Sequence, residues 1–326
     1  MSGKRDGLVF VFGAQGTQWP GMGQDLLESE PAFQAAVEQC DAEVRRRGGW
    51  SLSAELRTPP AAYRAHRDYR FVQPALTSLQ IGLVRVLEER GVRAAGVAAL
   101  SMGEAAGAWC AGILDLPEAV QVALCTAGLA ETHLPPGLMA FVRADWDAAG
   151  ELVRPVEDRV ARAVELGTAL TVISGEEEAV ETVLASAARA GVGIGRLPLA
   201  QAYHSPSVEA LRRSFVGCLA GLRPRADRVP LYSSATGGAH SGHESSPEHW
   251  WRICSAPSRF LSLARAMLRD GFRRFIEIGP HPMLADSIRD AAAGMGAAVR
   301  VEAVLDRRRG AAGLDEAVAR LKDDAT

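Results

Sequence analysis

An apolar segment, 97–100, runs directly into a serine, Ser101, and then into a run of small residues that begins at Gly103. The apolar segment indicates a buried strand, and residues 103–111 are typical of a helix packed closely on it. This order is that of a nucleophile elbow, G-x-S-x-G, with Ala99 in place of the first glycine. Such a turn lifts the serine hydroxyl out of the sheet and points the amino end of the helix at an oxyanion. A serine that only caps a helix is the alternative that this pattern leaves open.

Strands and helices alternate along most of the chain, and parallel strands joined by helices predict a doubly wound α/β sheet. The predicted strands of this sheet are 8–13, 92–100, 229–233 and 273–278. The predicted helices around it are 31–47, 72–90, 103–111, 117–130, 206–222, 258–270 and a last helix from Pro282.

Residues 137–200 follow a different pattern. The predicted strands there are 138–143, 158–164, 169–174 and 192–199, and the predicted helices are 145–153 and 176–190. The order β-α-β-β-α-β is ferredoxin-like. We therefore predict a small ferredoxin-like subdomain, 137–200, inserted into a large α/β-hydrolase-like subdomain with a parallel sheet, which is formed by residues 1–136 and 201–326.

The chain of 326 residues has a formal net charge of -3, and 34 of its 36 basic residues are arginines. This near-neutral charge argues against a nucleic-acid-binding protein. No apolar run reaches the ~18 residues of a membrane span, and none forms a signal-peptide core. We therefore expect a cytoplasmic, monomeric protein that binds neither nucleic acid nor membrane.

The cysteines are widely spaced and form no C-x-x-C pair, which is a poor signal for a zinc or redox site. They are Cys40, Cys110, Cys125, Cys218 and Cys254. We expect them mostly to be buried, small apolar side chains in a reducing cytoplasm. His240 and His243 lie in a Gly/Ser-rich segment, where the sequence favours a solvated loop over a metal site.

A serine nucleophile needs a base, and the chain contains seven histidines. His204 follows a predicted strand and precedes a helix start at Pro206, so we expect it at the sheet edge where open α/β folds bind ligands. His281, in the segment Gly-Pro-His-Pro, follows another predicted strand and is the alternative base. A purely structural turn histidine stays open for both.

Five segments resemble motifs of the malonyl-CoA:acyl-carrier-protein transacylases and of the acyltransferase domains of polyketide synthases. They are FVFGAQGTQWPGMG at 10–23 (family F-P-G-Q-G-S-Q-x-x-G-M-G), QPA at 73–75, ALSMGE at 99–104 (G-H-S-x-G-E), YHSP at 203–206 (H-S-P) and IEIGPHP at 276–282 (E-x-x-P-H-P). They occur in the family's order, and the resemblance covers residues 8 to about 306. On these motifs the chain is identified as a member of this family.

The resemblance implies ping-pong acyl transfer without a metal or redox cofactor. Ser101 would take an acyl group from a thioester of coenzyme A or a carrier protein, and a phosphopantetheine thiol would then remove it. His204 would act as general base and then as acid, and the Gln15 region and the Met102 N–H would form the oxyanion hole. A main-chain carbonyl near the turn 279–280 would orient His204 in place of an aspartate.

One departure from the family bears on the substrate. The malonyl-type members carry an arginine about 25 residues after the nucleophile, and its guanidinium pairs with the malonyl carboxylate. Here that position is Thr126, and residues 94–142 contain no Arg or Lys. Threonine cannot neutralise a carboxylate, and an unpaired buried carboxylate is costly. We therefore predict that malonyl is not the substrate.

Other positions near the expected acyl pocket also differ. Leu100 replaces the histidine that precedes the nucleophile, and the family tetrapeptide H-A-F-H or Y-A-S-H is here QAYH, 201–204. Glu165 aligns with a family asparagine and would bring a carboxylate that suits an amine-bearing acyl group. The predicted substrate-binding residues are Gln73, Leu100, Thr126, Gln201 and Tyr203.

Three functions are open at this point. The first is a discrete acyltransferase of polyketide biosynthesis that moves a non-malonyl acyl group (a starter, aminoacyl or short peptidyl unit) onto or between acyl carrier proteins. The short stretch before the first motif and the end soon after the last helix favour a discrete enzyme. The second is a hydrolase that clears stalled acyl groups from carrier proteins, and the third is a non-enzymatic docking subunit. A conventional malonyl-CoA transacylase and an inactive relative are further alternatives.

Charge divides unevenly along the chain. Residues 201–326 carry 18 basic against 14 acidic side chains, whereas residues 1–200 carry 18 basic against 25 acidic. Carrier proteins are usually acidic, so a basic face would speed their encounter with the enzyme. The candidate docking residues are Arg212, Arg213, Arg273 and Arg274. Arginines on solvated helix faces are the alternative.

Overall fold

The computed structural model of the chain describes residues 5–64, 68–129, 137–197 and 201–323. The strands are β1 (Arg5–Phe12), β2 (Gly96–Ala99), β3 (Gly137–Val142), β4 (Val160–Gly167), β5 (Leu170–Glu176), β6 (Ile194–Arg196), β7 (Leu231–Ser233), β8 (Gly238–His240), β9 (Phe272–Ile278) and β10 (Arg300–Ala303). The helices of the first half are α1 (Gln24–Ser29), α2 (Pro31–Gly48), α3 (Leu52–Leu56), α4 (Tyr69–Glu89), α5 (Glu104–Cys110) and α6 (Leu116–Leu129). The later helices are α7 (Trp146–Val153), α8 (Glu177–Arg189), α9 (Arg212–Cys218), α10 (Pro247–Ser255), α11 (Phe260–Arg269), α12 (Ala285–Gly294) and α13 (Ala311–Asp323).

The larger sheet has six strands in the order β10-β9-β1-β2-β7-β8. Within this sheet every pair of neighbouring strands is parallel, except β7 and β8, which form an antiparallel pair at one edge. The central strand β1 is buried from Leu8 to Phe12 because helices cover both faces of the sheet. The predicted α/β fold with a largely parallel sheet is therefore confirmed.

The smaller sheet has four antiparallel strands in the order β4-β5-β3-β6. Its strands and the helices α7 and α8 follow one another as β-α-β-β-α-β, as the sequence predicts. This is the strand order of a ferredoxin-like sheet. All four strands lie between residues 137 and 200, and we propose these limits for the small subdomain and residues 1–136 and 201–326 for the large one.

Two predicted elements differ from the structure in an informative way. The predicted helix 72–90 begins three residues earlier, at Tyr69, because the Asp68 side chain caps it by accepting a hydrogen bond from the Arg70 N–H. The predicted helix 206–222 is instead a 3₁₀ helix, Pro206–Leu211, followed by the short helix α9.

The cysteines correct a second expectation. Cys40 and Cys254 are buried and Cys110 is partly buried, and all three are free thiols, as expected of small apolar side chains. Cys125 and Cys218 instead form a disulfide that joins α6 to the end of α9. The partners are 93 residues apart in sequence, so the spacing of the cysteines gave no sign of the pair.

The disulfide predicts the number of free thiols in the protein. Denatured, unreduced protein should present three titratable thiols, and the variant Cys218→Ala should present four because it frees Cys125. Reduction should lower the free energy of unfolding by about 2–4 kcal/mol, since a crosslink across a long loop restricts the unfolded chain. Thiol titration and urea unfolding with and without reductant measure both quantities. Five thiols in the unreduced wild type would contradict the crosslink.

In the part of the chain that the structure describes, no helix is both long enough and apolar enough to span a bilayer.

Candidate active site

The predicted elbow is present at the carboxyl end of β2. The strand ends at Ala99, the Leu100 N–H donates to the carbonyl of Phe12 on the neighbouring strand, and Ser101 opens a short 3₁₀ helix that leads into α5. Gly103 is required here because a Cβ at this position would lie 2.5 Å from the Phe12 carbonyl oxygen. The small residue therefore lets the helix start directly against β1.

The structure brings Ser101 and His204 together. The serine Oγ lies 2.9 Å from the imidazole Nε2, and the imidazole Nδ1 lies 2.7 Å from the carbonyl oxygen of Ala256. A carbonyl can only accept, so Nδ1 carries the proton and Nε2 is left to accept the serine hydroxyl proton. This is the arrangement of a serine nucleophile with its general base.

Both residues of this pair have an unusual backbone. Ser101 has φ 47° and His204 has φ 59°, and no other non-glycine residue in the described ranges has a positive φ. Left-handed backbone at a non-glycine residue costs about 1–3 kcal/mol and is found where surrounding structure enforces it, often at active sites. The strain therefore falls on the two residues whose geometry the chemistry needs.

Main-chain contacts fix His204 from the side of α10. Its N–H donates to the carbonyl of Cys254, at 2.8 Å. The carbonyl that orients its ring belongs to Ala256, directly after α10, and not to the turn 279–280 named by the resemblance. The alternative base, His281, lies near Asp306, with 3.7 Å between the imidazole Nδ1 and a carboxylate oxygen.

Burial changes the pKa of His204. His204 is enclosed, and this desolvation lowers its pKa below the ordinary histidine value. The hydrogen bond to the Ala256 carbonyl and the negative charge of Glu104 act in the opposite direction and offset part of the effect. The imidazole is therefore neutral, and able to act as a base, at neutral pH.

An apolar cavity of about 140 Å³ adjoins the Ser–His pair. The large subdomain contributes Ala14, Gln15, Leu100, Ser101, Met102, Tyr203, His204 and Met283 to its lining, and the small one contributes Met139, Phe141, Val164, Leu166, Leu170, Val172 and Leu197. Among these described lining residues none carries a permanent charge. Gln15 and Met102, predicted for the oxyanion hole, and Leu100 and Tyr203, predicted for substrate binding, all belong to this lining.

The other predicted substrate-binding residues are not part of this lining. Gln73 is buried and its amide donates to the Gln15 side-chain oxygen, at 2.7 Å. Thr126 is buried, lies beside the thiol of Cys254 and is not among the residues that line the cavity. Gln201 is partly buried, and its Oε1 has no hydrogen-bond partner among the described residues. The structure therefore gives Gln73 a role in holding Gln15 and gives Thr126 no direct place against the acyl group.

Glu165 does not reach the cavity. Its carboxylate accepts from the Arg259 guanidinium at 2.9 Å and from the Ser262 hydroxyl at 2.7 Å. Side chains alternate between the two faces of a strand, so Val164 and Leu166 line the cavity while Glu165 points to the opposite face of β4. The expected carboxylate for an amine-bearing acyl group is therefore absent from the described lining.

The motif at 276–282 supports the part of the cavity wall that Met283 forms. The Glu277 carboxylate accepts hydrogen bonds from the N–H groups of Met283, Leu284 and Ala285, at 2.8–3.1 Å. Burial raises the pKa of Glu277 to about 7 despite these donors. The motif glutamate thus fixes the turn that holds Met283 against the cavity.

The four candidate docking arginines separate in the structure. Arg273 and Arg274 lie at the amino end of β9, where they donate to main-chain carbonyls of Leu268, Phe272 and Leu321. Ser101 follows the carboxyl end of β2, so the two sites lie at opposite edges of a sheet about 20 Å across. Arg273 and Arg274 therefore lie away from Ser101, and a role for them in carrier-protein docking stays a prediction.

Arg212 and Arg213 have a different setting. They begin α9, which follows His204 by one short 3₁₀ helix. Arg212 forms an ion pair with Glu248, at 2.9 Å, and both arginines are exposed. They stay candidates for carrier-protein docking.

Sequence reasoning missed two residues of the site. Ala256 supplies the orienting carbonyl, and a main-chain contact leaves no side-chain signature in a sequence. Ser234 accepts a hydrogen bond from the Ser101 N–H, at 2.9 Å. It belongs to the polar run Ser-Ser-Ala-Thr-Gly at the carboxyl end of a predicted strand, and this run was an available signal.

The Gly/Ser-rich segment that contains His240 and His243 is only partly the solvated loop that the sequence predicts. His240 is buried and stacks on His249, with the ring centroids 3.9 Å apart, whereas His243 is exposed. Burial and the neighbouring His249 lower the pKa of His240 to about 4. In the described ranges no three His, Cys, Asp or Glu residues are grouped as a metal site would require.

Comparisons with known proteins show the family of this chain. The model of the family described as "Acyl transferase domain" matches residues 9–316. The spectinabilin polyketide synthase system protein NorA′ of Streptomyces orinoci is 34% identical over 88% of this chain, and the erythronolide synthase EryA2 of Saccharopolyspora erythraea is 31% identical over 87%. The chain spans only 8% of the length of each of these two relatives.

Solved structures extend the likeness to the whole fold. The loading acyltransferase from the avermectin modular polyketide synthase is 32% identical, with a TM-score of 0.91 over 97% of this chain and 100% of that chain. A malonyl CoA-acyl carrier protein transacylase from Clostridium perfringens, 20% identical with a TM-score of 0.86 over 98% of both chains, shares the fold. The chain therefore belongs to the acyl transferase domain family and is an acyltransferase that carries a Ser–His pair.

Proposed function

We propose that this acyltransferase moves a short, uncharged aliphatic acyl group, of the kind that starts a polyketide chain, onto an acyl carrier protein through an acyl-Ser101 intermediate. The apolar cavity beside Ser101 carries this proposal. It supports a starter acyl group over an aminoacyl one, because Glu165 pairs with Arg259 outside the cavity. The likeness to a loading acyltransferase points in the same direction.

The size of the cavity bounds the acyl group. At about 140 Å³ it is close to an engineered apolar cavity of about 150 Å³ that holds benzene. An acyl chain of roughly four to six carbons fills such a space. We expect transfer to slow for longer chains, whose ends would extend beyond the apolar walls formed by residues such as Phe141 and Leu166.

Acylation uses the pair as it stands. His204 Nε2 takes the hydroxyl proton while Ser101 Oγ attacks the thioester carbonyl, and the Ala256 carbonyl holds the ring by its Nδ1–H. We propose that the N–H groups of Gln15 and Met102 stabilise the oxyanion. Collapse of the tetrahedral intermediate breaks the carbon–sulfur bond, and the imidazolium returns its proton to the leaving thiolate.

Transfer reverses these steps with a new thiol. The phosphopantetheine thiol of the carrier protein gives its proton to His204 and attacks the acyl-Ser101 ester, and the serine leaves with that proton. No charged group of the acyl chain takes part in either half. The carrier protein and the donor thioester are the proposed partners, and Arg212 and Arg213 are the proposed docking residues.

The pH dependence of acylation follows from the lowered pKa of His204. Only the neutral imidazole accepts the serine proton, so the rate falls as pH drops through the pKa of His204. Because burial lowers that pKa, we expect full activity at pH 7 and a loss only below the ordinary histidine value of about 6.5. A pH–rate profile of single-turnover acylation measures this midpoint. A midpoint above 7 would contradict the proposed neutral base.

The deciding experiment uses two carrier proteins. The enzyme is mixed with one carrier protein loaded with an isovaleryl group and with a second, empty one that differs in mass. Isovaleryl transfer to the second carrier supports the proposal. Release of isovaleric acid alone identifies a hydrolase, and absence of any adduct on Ser101 would leave a docking role, so both results overturn it. Ser101→Ala is the control for non-enzymatic exchange.

A further inference from the structure

The main chain of the nucleophile is held by a side chain from another strand. The Ser101 N–H donates to the hydroxyl oxygen of Ser234, at 2.9 Å, across 133 residues of sequence. Ser234 follows β7, the next strand of the sheet after β2, and it is fully buried. This contact fixes the one residue of the elbow whose backbone is left-handed, with φ 47°.

The chain of hydrogen bonds continues from Ser234 to the buried carboxylate of Glu104. A hydroxyl has a single proton, and because Ser234 Oγ accepts from Ser101 it can direct its own proton to Glu104 Oε1, 3.0 Å away. The Ser234 N–H also donates to Oε1, at 3.0 Å, and the Ser233 hydroxyl donates to Oε2, at 2.7 Å. Glu104 is fully buried, so these groups replace water around its charge.

A carboxylate at this point does two things that a neutral side chain would not. Hydrogen bonds to an ionised acceptor are stronger, and they make the donor hydroxyl oxygen a better acceptor in turn. The chain from Ser101 N–H through Ser234 to Glu104 is therefore stiff. The charge also favours a protonated His204, since Glu104 raises the pKa of that imidazole against the effect of burial.

His204 lacks the carboxylate partner of a Ser–His–Asp triad, because its Nδ1–H goes to a main-chain carbonyl. Glu104 supplies a buried negative charge to the same site without touching the ring. The side of Glu104 away from Ser234 faces His249, with 3.7 Å between the imidazole Nε2 and Glu104 Oε2. His249 in turn stacks on His240.

We propose that Glu104, acting through Ser234, is a positioning residue for acylation: it holds the Ser101 backbone in the conformation that directs Oγ at His204. One consequence concerns the oxyanion hole. The Ser101 N–H is committed to Ser234 and does not serve the oxyanion, which leaves that task to other main-chain donors such as Met102. The proposal rests on Ser101 being the acylated nucleophile of the proposed function.

The test uses a probe that needs an activated serine but no particular acyl group. A fluorophosphonate reacts with Ser101 Oγ: an oxygen–phosphorus bond forms, fluoride leaves, and the serine proton passes to His204. Labelling is followed by intact mass. The dependence of its rate on the probe concentration gives the maximal inactivation rate and the apparent binding constant of the probe. This readout keeps the proposal testable even if the enzyme fails to transfer any aliphatic acyl group.

The chain offers a matched pair of variants. Ser234→Ala removes the acceptor of the Ser101 N–H, and Ser233→Ala removes one donor to the same carboxylate but leaves that acceptor in place. We expect Ser234→Ala to lower the maximal labelling rate by about 10- to 100-fold with an unchanged binding constant, since a small misplacement of a reacting group has an effect of this size. Ser233→Ala should stay within about threefold of the wild type.

Glu104→Gln is the second variant, since it keeps the side-chain shape and removes the charge. We expect it to slow labelling at least as much as Ser234→Ala. Equal labelling rates in Ser234→Ala and Ser233→Ala, at comparable melting temperatures, would overturn the proposal. The same holds if Ser234→Ala raises the binding constant and leaves the maximal rate unchanged.

Discussion

Replacing His204 with alanine should lower the rate of Ser101 acylation by about 10²- to 10⁴-fold, the usual contribution of a positioned general base. Nε2 is 2.9 Å from the serine oxygen, and the described site offers no second side chain in hydrogen-bond contact with that oxygen. Without the imidazole the hydroxyl proton has no acceptor, and the serine reverts to a weak nucleophile. Single-turnover acylation by an isovaleryl thioester, followed by intact mass, measures the loss.

His281→Ala is the matched control, because His281 is the other base that the sequence offered. We expect it to acylate at nearly the wild-type rate, since its ring lies beside Asp306 and makes no described contact with Ser101. If the two variants lost activity equally, the assignment of the base to His204 would be wrong.

Malonyl thioesters should acylate Ser101 roughly 150- to 5,000-fold more slowly than isovaleryl thioesters. The two acyl groups have the same branched shape, and the malonyl group carries a carboxylate where the isovaleryl group has an isopropyl group. Among the described residues that line the cavity none is a lysine or arginine. A buried charge without a partner costs about 3–5 kcal/mol, which corresponds to that range of rates. The ratio of kcat/KM for the two thioesters of one carrier protein measures it.

An acyl group of equal charge but different size provides the control for this comparison. Acetyl and isovaleryl are both neutral, so a preference for isovaleryl over acetyl reports filling of the apolar cavity alone. A malonyl rate within tenfold of the isovaleryl rate would show that a cation reaches the acyl group after all.

The sequence predicted the parts of this site that depend on local patterns. The apolar strand, the serine and the small residues after it specify the elbow around Ser101, because a tight strand-to-helix turn tolerates few side chains. Gly103 illustrates this, since a Cβ there would meet the Phe12 carbonyl oxygen at 2.5 Å. The histidine motif around His204 was found in the same way, from its place before Pro206.

The parts that were missed depend on contacts between distant segments. The carbonyl that orients His204 comes from Ala256, and any residue type supplies a carbonyl. The disulfide joins cysteines 93 residues apart, and their proximity follows from the packing of α6 and α9. Such contacts are set by tertiary structure and leave no periodic or motif signal.

Two predictions depended on which side of an element a residue faces. Glu165 was expected near the acyl group, but it lies on the face of β4 opposite Val164 and Leu166 and pairs with Arg259. Arg273 and Arg274 were grouped with Arg212 and Arg213 by sequence charge alone. Their position at the amino end of β9 puts them at the far edge of the sheet from Ser101.

The most direct test is a competition between two acyl thioesters for Ser101. Equimolar isovaleryl and malonyl thioesters are mixed with the protein, and the mass of the protein is read before and after an empty carrier protein is added. We expect an isovaleryl adduct on Ser101 that the carrier thiol removes, and neither adduct in Ser101→Ala. A malonyl adduct that forms as fast as the isovaleryl one would contradict the central claim.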